Sequence, residues 1–78
     1  MHVVLYTYST CSFCSRAKEL LDGLGVEYVE EVLDGDRAML ARLRRLTGES
    51  AMPYTMIDGE FVGGLAKLEA LAAAGAFE

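Results

Sequence analysis

Apolar and polar positions along this chain follow two periods in turn, and each switch between them marks an element. Val3-Val4-Leu5-Tyr6-Thr7 is an unbroken apolar, β-branched and aromatic run, the pattern of a strand buried on both faces. After a Ser9-Thr10-Cys11 turn, Phe13, Ala17, Leu20, Leu21 and Leu24 recur at helical spacing, while Arg16, Lys18, Glu19 and Asp22 take the opposite face. Gly25 supplies the stop. Residues 26–32, Val-Glu-Tyr-Val-Glu-Glu-Val, read as a second strand, and its three glutamates place it at a sheet edge. Strand, helix and strand within about 30 residues form a βαβ unit, so these two strands should run parallel.

The second half continues the pattern. Asp34-Gly35-Asp36 is a turn that provides a helix N-cap. Met39, Leu40, Leu43 and Leu46 form the apolar stripe of that helix, and Gly48 ends it. Pro53 precedes Tyr54-Thr55-Met56-Ile57, and Asp58-Gly59 then separates this run from Glu60-Phe61-Val62. Asp-Gly between two short apolar runs is the strongest hairpin signal in the chain. Gly63-Gly64 leads into a third helix carrying Leu65, Leu68 and Leu71, closed by Gly75. The expected order is β-α-β-α-β-β-α in one domain over 1–78, with no repeat and no linker. Tyr6, Tyr28, Phe61 and the helix leucines are assigned to the core; His2, Glu30 and Glu31 to the surface.

Composition narrows the function. With 53% hydrophobic and 24% charged residues the chain is globular, and a net charge of −5 argues against nucleic acid or an anionic membrane as partner. No apolar stretch approaches the roughly 18 residues needed to span a bilayer. Met1-His2 passes straight into the first strand without a basic leader, which makes a cytosolic location the default expectation. The two cysteines, three positions apart, would close almost no loop and do not form a secreted disulfide framework.

Cys11-Ser12-Phe13-Cys14 lies at the junction of the first strand and first helix. A thiol placed at a helix N-terminus faces unpaired backbone N–H groups and the positive end of the helix dipole, both of which favour thiolate. Thiolate is the attacking species in disulfide exchange. The second cysteine, one turn on, is then placed to attack a mixed disulfide within the same molecule. This predicts Cys11 as exposed nucleophile and Cys14 as the more buried resolving thiol. A structural zinc site needs four ligands and the only other candidate, His2, lies at the far end of the first strand, so no metal site is expected. Pro53 is the second signal: a cis Met52–Pro53 bond would turn the Met52 backbone toward the thiol as a short docking edge for an extended disulfide substrate. Gly63-Gly64, two bare backbone units before a helix, are the third, a candidate anion site for a substrate carboxylate.

Over essentially its whole length the chain resembles the glutaredoxins. The carrying segments are Tyr6-Thr7, Ser9-Thr10-Cys11-Ser12-Phe13-Cys14 with Ala17, Asp34-Gly35, Met52-Pro53, Ile57-Asp58-Gly59 and Val62-Gly63-Gly64. The resemblance implies an α/β, thioredoxin-like fold, a four-stranded mixed sheet flanked by three helices. It implies the cis bond before Pro53, a groove at the thiol lined by Phe13, and backbone pairing of Met52 with the bound thiol. No tightly bound cofactor is implied; glutathione or another low-molecular-weight thiol is the expected co-substrate. Disulfide-containing proteins or small molecules are the expected substrates, and a monomer the expected state.

Three departures bear on that reading. Ser12 replaces the family's usual proline between the cysteines. Some family members with serine there bind an iron–sulfur cluster between two subunits, which gives an alternative in which Cys11 of two chains bridges a cluster. Tyr8 stands where a lysine usually meets the glycyl carboxylate of glutathione, and Ala51 where threonine is usual. Ala66 and Lys67 stand where an aspartate usually receives the ligand's ammonium. A charge-assisted contact contributes about 1.5–3 kcal/mol, so losing two would weaken glutathione on the order of a hundredfold. Arg42 or Arg45 is the sequence's candidate to replace the missing lysine. A flavoprotein reductase of the kind that serves thioredoxins is the alternative electron donor. A binding module with incidental cysteines, presenting Tyr8, Phe13, Met52 and Tyr54 to partners, is the remaining reading.

Overall fold

β1 (Val3–Thr7) is central, and the rest of the chain is arranged about it in the order α1 (Ser12–Gly23), β2 (Val29–Val32), α2 (Arg37–Thr47), β3 (Tyr54–Ile57), β4 (Glu60–Gly63) and α3 (Leu65–Ala73). The computed structural model describes residues 1–78. The sheet order is β2-β1-β3-β4, with β1 parallel to β2 and the other neighbours antiparallel. The mixed sheet, its edge strand β2 and the element order are those expected from the sequence.

Strand alternation divides the core in two. Val3 and Leu5 face the side that carries α1 and α3, where they pack with Ala17, Leu21, Leu65 and Leu68. On the other face Tyr54 packs with Leu33 and Leu43 of the α2 side, joined by Tyr6, Tyr8, Met52 and Phe61. Register keeps the faces consistent: Tyr6 pairs with Tyr54, and Leu5 with Thr55. Between β3 and β4 the register shifts, because Thr55 pairs with Gly63 while Met56 pairs with Phe61, leaving Val62 as an extra residue. That bulge turns the chain at Gly63 toward α3. The Asp58-Gly59 turn has both residues at positive φ, 52° and 83°, as a two-residue hairpin of this kind requires.

Three expectations need correction. β2 begins at Val29, three residues later than the apolar run, because the Val26 N–H is taken by the Leu21 carbonyl at 3.0 Å in closing α1. Val26 and Tyr28 pack against the core instead of extending the ladder. Phe13 and Leu24 do not belong to the buried stripe of α1, which runs Cys14, Ala17, Leu21; Phe13 is 54% exposed. Leu46 stands in solvent, since the buried line of α2 reaches only Leu43 with Met39 and Leu40 half-buried. Glu30 is exposed, as expected, with its carboxylate engaged by Thr7 and Lys18.

Candidate active site

α1 starts at the cysteine pair. Cys11 is its N-cap residue with extended backbone, and Cys11 Sγ accepts the Cys14 N–H at 3.1 Å. A sulfur here replaces the oxygen that usually satisfies one of the four unpaired N–H groups of a helix start. The Cys11 carbonyl takes the Ser15 N–H at 3.1 Å. Cys11 is half-buried and Cys14 is buried at 1%, both as free thiols. Ser12 is exposed, and the donor to Cys11 Sγ is the backbone of Cys14 and not the Ser12 hydroxyl. Burial pushes the Cys14 thiol up to about 12, with its hydrogen bond to Cys11 adding to the effect; the Tyr8 N–H and the Lys18 ammonium act in the opposite direction.

A loop from the opposite side meets this helix start. The Met52–Pro53 peptide is cis, Pro53 is buried and Met52 half-buried. Tyr54 secures that loop to the sheet: its hydroxyl donates to the Glu49 carbonyl at 2.5 Å, and its ring lies 6.0 Å from that of Phe61. Tyr54 is fully buried, so it cannot serve as a partner surface. Between the loop, α1 and α3 lies an open groove of about 330 Å³ bordered by Phe13, Met52, Pro53 and Gly64, with Glu49 and Glu69 among its polar walls. Arg16 stands over the Phe13 ring at 5.9 Å and meets Glu69 at 3.9 Å, an exposed pair of small energetic weight.

The two glycines divide their roles. Gly64 is the N-cap of α3, lies in the groove, and leaves 3.4 Å between an added Cβ and the Pro53 carbonyl oxygen. Gly63 holds φ at +140°, and a Cβ there would sit 2.7 Å from Lys67 Cβ. Its glycine is thus demanded by backbone and packing, outside the groove lining.

A second hollow, of about 470 Å³, lies on the α2 side and is bordered by Tyr8, Leu33, Asp36, Arg37, Leu40 and Arg44. Arg37 and Arg44, not Arg42 or Arg45, are the cations beside Tyr8. Positions 37, 40, 41 and 44 share one helical face once the N-cap is set at Asp36, a periodicity that identifies them from sequence. Arg44 also lies beside the Tyr54 phenol, which burial pushes up against the influence of that guanidinium. No third cysteine, histidine or carboxylate joins the thiols to complete a metal-ligand cluster.

Comparison with known proteins decides the family. The glutaredoxin family model matches residues 3–62. The chain belongs to the glutaredoxin family. A probable glutaredoxin of Synechocystis is 42% identical over 74 residues, 94% of this chain and 84% of that protein. Glutaredoxin 3 of Escherichia coli is 36% identical over 77 residues, 99% of this chain and 93% of that one. Among solved structures, a buckwheat glutaredoxin in complex with glutathione superposes with a TM-score of 0.88 at 33% identity, covering 96% of this chain and 71% of that chain. A dithiolic glutaredoxin of Trypanosoma brucei brucei gives 0.85 at 27% identity, covering 96% and 80%. Glutaredoxins are thiol–disulfide oxidoreductases, and this glutaredoxin is an enzyme of that class with the thioredoxin-like fold. No helix is long and apolar enough to cross a membrane.

Proposed function

We propose that this glutaredoxin reduces protein or small-molecule disulfides by a dithiol cycle in which Cys11 attacks and Cys14 resolves. The observation that carries the reading is the asymmetry of the pair. Cys11 is accessible, with its sulfur on the first-turn N–H of α1, while Cys14 is buried behind it and held protonated by that burial. Cys11 thiolate attacks a substrate sulfur, forming a mixed disulfide and releasing the other sulfur as thiolate. Cys14 then attacks Cys11 Sγ, releasing the second substrate thiol and leaving the Cys11–Cys14 disulfide. Two electrons pass to the substrate, and the two protons it gains come from the thiols through solvent. Phe13 and Met52-Pro53 form the walls against which the substrate lies, Gly64 forms the α3 end, and Gly63 before it supports that end from outside the groove, while Ser12 is exposed beside Cys11.

Glutathione is our proposed reductant, acting on a single-domain monomer in the cytosol. The charges that glutathione requires come from unexpected positions. Arg37 and Arg44 supply positive charge beside Tyr8, and Glu49 and Glu69 supply negative charge in the groove where Ala66 offers none. The oxidised protein should be reduced by glutathione and not by NADPH with a thioredoxin reductase. The paired change Arg37→Gln and Arg44→Gln should raise KM for glutathione by about three- to tenfold, since both side chains are exposed to solvent. Reduction by the flavoprotein alone would reverse the assignment of donor. Anaerobic reconstitution with iron and sulfide separates the cluster-bridging alternative: a coloured dimer through Cys11 would support it, and a colourless monomer is expected.

A further inference from the structure

One turn along α1 from Cys14, three side chains from three elements form a linked set. Thr7, fully buried at the end of β1, donates its Oγ1–H to Glu30 Oε2 at 2.8 Å. The same oxygen takes Lys18 Nζ at 3.0 Å. Register explains the meeting: Glu30 pairs with Leu5 across the β1–β2 ladder and so faces the side of the sheet that α1 covers. Lys18 follows Cys14 by four residues, which places their Cβ atoms about 5–6 Å apart on one helix face. An exposed lysine–glutamate pair is ordinarily of little weight. Here a buried hydroxyl fixes the carboxylate, and the two side chains are only 34% and 28% exposed.

We propose that Lys18, anchored by Glu30 and Thr7, is a positioning residue that stabilises the Cys14 thiolate while the Cys11–Cys14 disulfide closes. The proposal rests on the reading of Cys14 as resolving thiol. Closure requires Cys14 to lose its proton to solvent, attack Cys11 Sγ, form the S–S bond and expel the substrate sulfur as thiolate. Burial opposes that ionisation, and in the mixed disulfide Cys11 carries no charge, so the opposition is then chiefly desolvation. Two groups act the other way, the Tyr8 amide just past the end of β1 and the Lys18 ammonium from α1 itself. From β2 the facing charge is Glu30, whose carboxylate is held below its ordinary value by the Thr7 hydrogen bond first, with Lys18 contributing, and so is ionised at neutral pH. From α3, Glu69 turns to Arg16 and Lys67 packs beside Gly63. Lys18 is therefore the one cation that acts on the buried thiol, from the next turn of the same helix, and Glu30 fixes its position.

Rapid mixing of the reduced protein with an aromatic pyridyl disulfide tests this, because each thiol released as thione absorbs. The first equivalent reports attack by Cys11; the second reports closure by Cys14. Lys18→Met is expected to slow the second phase at neutral pH by about five- to tenfold and to move its pH profile upward. The first phase should stay within about twofold, the span left by a distant screened charge, and Lys18→Arg should restore most of the second. An unchanged second phase, or equal slowing of both phases, would overturn the proposal. Lys18→Gln, which keeps a polar side chain, reads the same step if the methionine variant does not fold. In Cys14→Ser, release must stop at one equivalent. A second equivalent there would overturn the resolving role of Cys14 itself, a failure distinct from that of Lys18.

Discussion

At the residue scale, burial decides what each polar atom can do. Cys14 and Thr55 are both fully buried on the α1 side of the sheet, yet their situations differ. The Cys14 amide engages Cys11, while Thr55 Oγ1 has no hydrogen-bond partner. An unsatisfied buried hydroxyl costs about 1–3 kcal/mol, so Thr55→Val, which keeps the shape, should stabilise the fold by about 1 kcal/mol. Urea unfolding checks this, and a loss of stability would show that the hydroxyl has a partner in solution. The sequence made the cysteine pair legible because spacing and position suffice to mark it. It did not reveal Arg44 or Glu30, since an arginine on a helix face and a glutamate in an edge strand look solvated until the neighbouring element is in place. Tyr54 illustrates the reverse, a residue that resembled a surface aromatic and proved to be the centre of a core.

At the element scale, the helix starts carry the chemistry and the turns fix where they begin. α1 opens on a sulfur cap, α2 on Asp36 accepting the Met39 N–H at 3.1 Å, and α3 on Gly64 with no side-chain cap. The β4–α3 junction is the tightest, with the bulge at Val62 feeding a glycine at φ +140°. Gly63→Ala combines a disfavoured backbone region with a 2.7 Å approach to Lys67 Cβ, and both effects act in the same direction. The expected result is a loss of about 1–3 kcal/mol in unfolding free energy with α3 displaced from the groove, read as a raised KM for disulfide substrate. Wild-type stability and KM in that variant would contradict it. Glycine at helix ends and the Asp-Gly hairpin were readable directly from turn chemistry. The late start of β2 was not, because apolar periodicity cannot tell a residue in a ladder from one that closes the preceding helix.

For the whole molecule, Glu30 joins β1, β2 and α1 through one carboxylate, which makes stability depend on acid in a definable way. Its folded value lies below the ordinary 4.5, with the Thr7 hydrogen bond as first cause. The contribution is thus present above the ordinary value and lost as pH falls through the lower folded one. Glu30→Gln should be less stable than the parent at pH 7, and the gap should close as the pH falls below the ordinary carboxylate range. A gap independent of pH would mean that shape, not charge, is what Glu30 contributes. The two-faced core and sheet order were legible from alternation and from the βαβ unit; the partition of charge about the groove was not, because it arises from residues distant in sequence. The activity of the whole molecule turns on Cys11 attacking and Cys14 resolving. The most direct measurement is mass analysis with peptide mapping of Cys14→Ser and Cys11→Ser after exposure to a small disulfide. Cys14→Ser should accumulate one stable mixed disulfide, located on Cys11, whereas Cys11→Ser should form none and lose activity. An adduct on Cys14, or disulfide reductase activity surviving in Cys11→Ser, would contradict the mechanism.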